Sequence, residues 1–154
     1  MNLETNTVQA LQASVKAHWT AIHFYKLIAG QFGRWGYPKL AEHFKGEAAD
    51  EQMHLEKLIE RLELADVAPT CEGESLEPAR HDVQAILAQA LALENGAAEI
   101  ERAGIQTARE AMDDGTSHLL RHNLEGSEQS ILELEAELRV LSEIGLQNYL
   151  ANKV

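Results

Sequence analysis

The sequence predicts an all-α protein, a four-helix bundle with one long crossover connection and a short fifth helix at the C-terminus. Apolar residues recur every three or four positions along most of the 154 residues, which is the spacing of one face of an α-helix. The chain holds only 3 prolines and 10 glycines, too few turn residues for an all-β fold of many short strands. One polar stretch, residues 67–80, divides the predicted helices into two pairs. We therefore expect a single domain that spans residues 1–154.

The charge balance and the cysteine content exclude several classes of protein. Lys and Arg number 13 against 25 Asp and Glu, which gives a net charge of −12. Such a chain lacks the basic surface that nucleic acids and anionic membranes require, so we expect no nucleic-acid and no membrane partner. The single cysteine, Cys71, excludes an internal disulfide framework and a cysteine-based zinc site. The N-terminal residues carry no pattern of a secretory signal, and we expect a cytoplasmic protein.

The first two helices are predicted over about residues 5–34 and 38–66. In the first helix the apolar positions follow a heptad spacing that only His18 interrupts with a polar side chain. Pro38 suits the first turn of the second helix, where the missing N–H of a proline costs no hydrogen bond. The heptad positions of the second helix are Leu40, Phe44, Glu47, Glu51, His54, Leu58 and Leu62.

The remaining helices are predicted over about residues 81–112, 117–144 and 146–151. The linker 67–80 contains about 14 residues, which at ~3.4 Å each can span the roughly 40 Å length of the second helix. The third helix can therefore run parallel to the second, as in bundles with one long crossover. We expect Asp114 and Gly115 to end the third helix. Thr116 or Ser117 is then suited to cap the fourth helix.

Polar residues interrupt the apolar heptad positions near the middle of each long helix. These residues are His18 in the first helix, Glu51 and His54 in the second, Glu94 in the third and Ser127 in the fourth. Because antiparallel packing brings the middles of helices to one level, we expect these side chains to converge inside the bundle. Glu51 and His54 are spaced i, i+3 and share a helix face, an arrangement that binds iron or manganese in bundle cores. The sequence therefore predicts a metal site formed by His18, Glu51, His54 and Glu94.

Other interpretations of these residues stay open. An isolated Glu-x-x-His pattern often arises by chance, and a lone buried histidine is more often a hydrogen-bonded core residue than a metal ligand. Glu94 would face solvent if the third helix were rotated by one position, with Leu93 in its place. We expect Glu47 and Glu101 to lie at the solvated or cavity-facing edge of the bundle.

Four stretches of the chain carry a resemblance to a known family. They are Trp35-Gly36, Asp50-Glu51-x-x-His54, Leu91-Ala92-Leu93-Glu94 and Gly145-Leu146-Gln147-Asn148-Tyr149-Leu150. Through them the chain resembles the bacterioferritins over essentially its whole length. The resemblance implies a ferritin-like bundle whose two-fold dimers assemble into a hollow 24-subunit shell that stores ferric mineral. It also implies a di-iron centre that oxidises ferrous iron, and heme held between two subunits by a methionine from each.

The chain departs from the bacterioferritin pattern at the metal and heme positions. Family members carry Glu, Glu and His where this chain has His18, Ser127 and Ser130. The remaining donors can satisfy one divalent ion, so we predict a mononuclear site for iron, with zinc also suited, and weak or absent oxidation of ferrous iron. Gln52 occupies the position of the family's heme ligand, and Met53 lies about 100° away around the helix. We therefore expect no heme.

Three functions remain open at the level of the sequence. The first, which the resemblance favours, is an iron-storage shell subunit with a degraded di-iron centre, which could share its shell with a second, catalytically complete subunit. The second is an enzyme, a ferroxidase or peroxidase with a mononuclear iron site formed by His18, Glu51, His54 and Glu94. The third is a metal-free cage or dimer with a structural role.

Overall fold

The computed structural model describes residues 1–154 and contains five helices and no strand. The helices are α1 (Thr5–Trp35), α2 (Pro38–Glu63), α3 (Val83–Glu110), α4 (Asp114–Ile144) and α5 (Leu146–Ala151). α1 packs mainly against α2 and α3 against α4, and the two pairs meet chiefly through α1 and α3. The predicted all-α fold, a four-helix bundle with a short C-terminal helix, is confirmed. None of the helices combines the length and the apolar character that crossing a bilayer requires.

The apolar core consists of two clusters of side chains. The larger cluster includes Phe24 and Phe44 among 17 buried residues, and the smaller one includes Leu11 and Leu58 among 8. On each long helix, buried polar residues lie in sequence between members of the two clusters. Five of these residues are His18 in α1, Glu51 in α2, Glu94 and Glu101 in α3, and Ser127 in α4. We call this set, together with the half-buried His54 of α2, the polar layer.

The second helix ends earlier than predicted, so the crossover connection is longer and covers residues 64–82. The backbone of Asp66 adopts the left-handed conformation, with φ of 56°. The N–H of Val67 then donates to the carbonyl of Leu62 across the end of the helix. This pattern satisfies carbonyl groups that a helix otherwise leaves unpaired, and it ends α2.

The crossover connection is held against α1 by hydrogen bonds. The side-chain oxygen of Gln12 accepts from the backbone N–H of Thr70 at 2.7 Å, and the indole N–H of Trp19 donates to the carbonyl of Thr70 at 3.1 Å. A Cβ at Gly73 would lie 2.5 Å from the backbone nitrogen of Thr20, so only glycine fits there. These contacts fix the path by which the chain passes from the first helix pair to the second.

The predicted start of the fourth helix was wrong. Asp114 and Gly115, which we expected to end α3, form the first turn of α4, and Thr116 lies inside the helix. The cap is Asp113, whose carboxylate accepts from the backbone N–H of Thr116 at 2.9 Å and from its hydroxyl at 2.6 Å. Arg61 of α2 also donates to this carboxylate at 2.6 Å. Asp113 therefore caps α4 in place of Thr116 or Ser117, because its carboxylate also pairs with the guanidinium group of Arg61 in α2.

We expect Asp113→Ala to lower the free energy of unfolding by about 1–2 kcal/mol, since it removes the cap of α4 and the partner of Arg61. Burial alone would raise the pKa of Asp113, but the hydrogen bonds from Thr116 and the charge of Arg61 outweigh it and hold this pKa below its ordinary value of 3.8. A group with a lowered folded-state pKa stabilises the protein above its unfolded-state pKa and loses this effect as the pH falls through the folded-state value. Urea unfolding at pH 7 and at pH 3 should therefore show a smaller difference between wild type and variant at pH 3.

Asp113→Asn is the matched control for this prediction. Asparagine keeps a capping side chain but loses the charge that faces Arg61, so its loss of stability should be smaller than that of the alanine variant. Equal unfolding free energies for Asp113→Ala and the wild type at pH 7 would contradict the assignment of the cap.

Candidate metal centre

The polar layer contains one histidine and three carboxylates that are almost completely buried. Their exposed fractions are 3% for His18, 6% for Glu51, 1% for Glu94 and 0% for Glu101. The only basic nitrogens within 4 Å of these carboxylates belong to His18, and no Lys or Arg forms an ion pair with them. A buried charge without a partner is costly, so these groups require protons or a bound cation.

His18 presents one nitrogen to the backbone and the other to a carboxylate. Its Nδ1 lies 2.8 Å from the carbonyl oxygen of Ser14, which can only accept, so Nδ1 carries the hydrogen. Burial lowers the pKa of His18 to about 4, and the ring is therefore neutral at pH 7. Its Nε2 then directs a lone pair toward Oε2 of Glu51 at 3.5 Å. Two acceptors that face each other in this way are stabilised by a proton or a metal ion between them.

Burial raises the pKa of the three carboxyl groups of the layer. The pKa of Glu51 is raised well above its usual range by burial first, and then by the charges of neighbouring carboxylates. Burial raises the pKa of Glu94 and that of Glu101 to about 7, although hydrogen bonds from hydroxyl groups act in the opposite direction. A raised pKa means that each group keeps its proton to a higher pH than a free carboxyl group does, and a bound divalent cation would displace that proton.

His18, Glu51 and His54, which we call the inner group, could together hold a metal ion. Each offers one ligand atom, and these atoms lie within 4.8 Å of one another. The two rings meet edge to face, with their centroids 5.8 Å apart. Burial and the neighbouring His122 lower the pKa of His54, so both imidazoles are neutral at pH 7. Two neutral imidazoles and one carboxylate fit a single divalent ion such as Fe²⁺ or Zn²⁺.

Glu94, the fourth predicted ligand, is buried in the layer but lies outside the inner group. The hydroxyl of Tyr25 donates to its Oε1, and the nearby hydroxyl of Ser127 also acts to lower the pKa of Glu94. On the neighbouring turn of α4, the hydroxyl of Ser130 donates to Glu47 at 2.8 Å. Of the two serines at positions where the resemblance implies ligands, Ser130 forms a hydrogen bond to a carboxylate, and Ser127 is buried near Glu94.

Glu101 belongs to the layer, and its predicted position at the edge of the bundle was wrong. The hydroxyl of Ser14 donates to its Oε1 at 2.6 Å, and this oxygen lies 3.9 Å from Nδ1 of His18. Its Oε2 is buried without a hydrogen-bond partner. The sequence contained the signal, because Glu101 follows Glu94 by seven residues, which is close to two helical turns and returns to the same face.

Gly126 of α4 makes room for the imidazole of His54. A Cβ built on this glycine would lie 2.7 Å from Cε1 of the ring, closer than Cβ atoms come to other groups. The ring also meets that of the exposed His122 edge to face, with centroids 5.4 Å apart. Sequence reasoning missed this role, because a glycine inside a helix otherwise indicates only a weaker helix.

The residues near the family's heme position lie on the outside of α2. Gln52 is exposed, and its side-chain amide donates to Glu56 at 3.5 Å. Met53 is 57% exposed. The expectation that this chain binds no heme stays a prediction.

Comparison with known proteins agrees with the helical bundle. The profile of the ferritin-like domain matches residues 8–144. The bacterioferritin of Mycolicibacterium paratuberculosis is 27% identical over 161 residues, which cover 100% of this chain and 97% of the relative. The bacterioferritin of Mycobacterium tuberculosis is 26% identical over 154 residues, with the same coverage. The bacterial ferritin of Neisseria meningitidis is 30% identical over 119 residues, 77% of each chain.

We expect Gly126→Ala to weaken zinc binding at the inner group by roughly 10–100-fold, because the added methyl group displaces the ring of His54. The ring is the movable end of a side chain, so the free energy of unfolding without metal should change little. Calorimetric titration of the metal-free protein with zinc measures the affinity, and urea unfolding measures the stability.

Gly30→Ala is the control for this prediction, since a Cβ at Gly30 in α1 meets no atom within 4 Å. Its zinc affinity should equal that of the wild type, and its stability should rise slightly. Unchanged zinc affinity in Gly126→Ala would show that His54 is not a ligand in the position described.

Proposed function

We propose that this chain, which belongs to the ferritin-like family and is a divergent relative of the bacterioferritins, is an iron-storage shell subunit that binds a single divalent ion in its polar layer. The observation that carries the proposal is the burial of Glu51, Glu94 and Glu101 without any Lys or Arg partner. A divalent cation supplies the positive charge that this layer lacks. The similarity to proteins named bacterioferritin supports iron as that cation.

A single ion is favoured over a pair because neutral groups occupy the positions of the missing family ligands. The buried hydroxyl of Ser127 lies near Glu94, and Ser130 donates to Glu47. Hydroxyl groups in these places add no negative charge for a second cation. His18 likewise replaces a carboxylate with a neutral imidazole. The loss of three charged or basic ligands supports a degraded di-iron centre.

In this proposal the inner group binds ferrous iron as cargo. The carbonyl of Ser14 holds the N–H of His18, which leaves Nε2 free for the ion. Glu51 gives up its proton when the ion binds, so the affinity should rise with pH. Glu94 stays a proposed further ligand, and Glu101 adds negative charge next to His18.

We further propose that the subunits form two-fold dimers and a 24-subunit shell, as the resemblance implies. Apolar side chains exposed on the second half of α4 and on α5 support assembly. The exposed fractions are 63% for Leu132, 44% for Val140 and 47% for Leu146. Contact between subunits would remove this surface from water. A second subunit with a complete di-iron centre in the same shell would then supply the oxidation of ferrous iron.

The purified chain should bind one ion at the inner group and oxidise ferrous iron no faster than buffer. Anomalous scattering from zinc-soaked crystals locates the ions, and stopped-flow absorbance after mixing with Fe²⁺ in air measures the oxidation. Two ions about 3.5–4 Å apart at the inner group would contradict the proposal. Rapid oxidation with a single ion would favour the alternative of a mononuclear ferroxidase or peroxidase, and the absence of any ion there would favour a structural cage.

The replacement of His18, Ser127 and Ser130 by Glu, Glu and His tests the same proposal from the opposite direction. This variant restores the ligand types of the family pattern, so we expect two ions at the inner group and faster oxidation of ferrous iron. Ser127→Ala combined with Ser130→Ala removes the hydroxyls without adding ligands, and its oxidation rate should stay at the level of the wild type.

A further inference from the structure

We propose that His43, Glu47 and Glu133 form a second site for a divalent transition-metal ion, which we call the outer group. Each residue offers one ligand atom, and these atoms lie within 4.8 Å of one another. All three side chains are half-buried, so their donors are partly fixed by packing and still open to solvent. The site shares no residue with the inner group, and its existence does not depend on the function proposed above.

The helices bring these three residues together for simple geometric reasons. His43 and Glu47 are spaced i, i+4 in α2, so they lie on one face of that helix. Glu133 comes from α4, one turn after Ser130, whose hydroxyl donates to Glu47 at 2.8 Å. The hydrogen bond from Ser130 therefore ties Glu47 to the part of α4 that also carries Glu133.

Neutral side chains orient the two carboxylates of the outer group. Ser130 donates to Oε2 of Glu47, and the amide of Gln129 donates to Oε1 of Glu133 at 2.7 Å. These hydrogen bonds restrict the carboxylates without neutralising them. The cost of ordering the ligands is thus partly met before an ion binds.

The charge around the outer group favours a cation. No Lys or Arg forms an ion pair with Glu47 or Glu133 within 4 Å. Glu137, one turn further along α4, differs, because Nζ of Lys153 lies 2.8 Å from its carboxylate. Lys153 is therefore engaged at the next turn, and His43 is the basic side chain that lies with the two carboxylates of the outer group.

The outer group borders the cleft that leads to the inner group. A cleft of about 230 Å³ between α2 and α4 is lined by Glu47 and Glu133 and also by Glu51 and His54. Glu47 and Glu133 are half-buried, whereas Glu51 is buried, so the outer group lies nearer to solvent than the inner group does. One imidazole and two carboxylates suit Fe²⁺ or Zn²⁺ better than Mg²⁺ or Ca²⁺, which prefer oxygen ligands alone.

Zinc is the probe for this site, in solution and in crystals. Calorimetric titration of the wild type should resolve two binding events per chain, and Glu133→Gln should lose one of them, with an affinity loss greater than about tenfold. Glu135→Gln is the matched control, because the side chain of Glu135 is exposed on the same helix and forms no hydrogen bond or ion pair within the chain. Its titration should equal that of the wild type.

Anomalous difference maps at the zinc edge assign each binding event to a place. The wild type should show one peak between His43 and Glu133 and one at the inner group, and Glu133→Gln should keep only the inner peak. His18→Ala, or His54→Asn if the first variant does not fold, should keep only the outer peak.

These outcomes separate the outer group from the function proposed for the inner group. A wild-type crystal with zinc at the inner group and none between His43 and Glu133 would overturn the second site alone. An outer peak without an inner one would support the second site and contradict the proposed function. A titration of Glu133→Gln that equals the wild type would also overturn the second site.

Discussion

Three carboxylates buried between four helices, with no lysine or arginine to balance them, set the constraint on which the rest of this structure depends. Glu51, Glu94 and Glu101 lie where a helix bundle ordinarily places apolar residues. Their burial divides the core into two apolar clusters, one toward each end of the bundle. Stability must come from those clusters, and the layer between them is stable only with protons or a cation in it.

The residues around the layer are consistent with this constraint. Hydroxyl groups of Ser14 and Tyr25 donate to Glu101 and Glu94, and the backbone of Ser14 fixes the tautomer of His18. These donors are neutral, so they orient the buried groups and leave the negative charge uncompensated. An ion that binds at the inner group therefore meets one ligand, His18, that is already held in place, and it supplies positive charge to the buried carboxylates.

Heptad spacing predicted the bundle and the burial of His18, Glu51 and Glu94, because these depend on which face of a helix a residue occupies. The crossover was predicted from the length and polar composition of residues 67–80. The features that depend on contact between helices were not predictable in this way. The cap of α4 depends on Arg61 of another helix, and the position of His54 depends on the space above Gly126. The approach of Glu133 to Glu47 depends on the register of α4 against α2, which no local pattern encodes. The burial of Glu101 could have been predicted from the sequence, because its seven-residue spacing from Glu94 places both side chains on one face of α3.

X-ray absorption at the zinc edge tests the central claim most directly, applied to the Glu133→Gln protein loaded with one equivalent of zinc. This variant removes the outer group, so the spectrum reports the inner group alone. The account predicts nitrogen and oxygen neighbours at about 2.0–2.2 Å, outer-shell scattering from two imidazole rings, and no metal–metal distance. A spectrum without imidazole scattering, or with a second metal ion at about 3.5–4 Å, would contradict it.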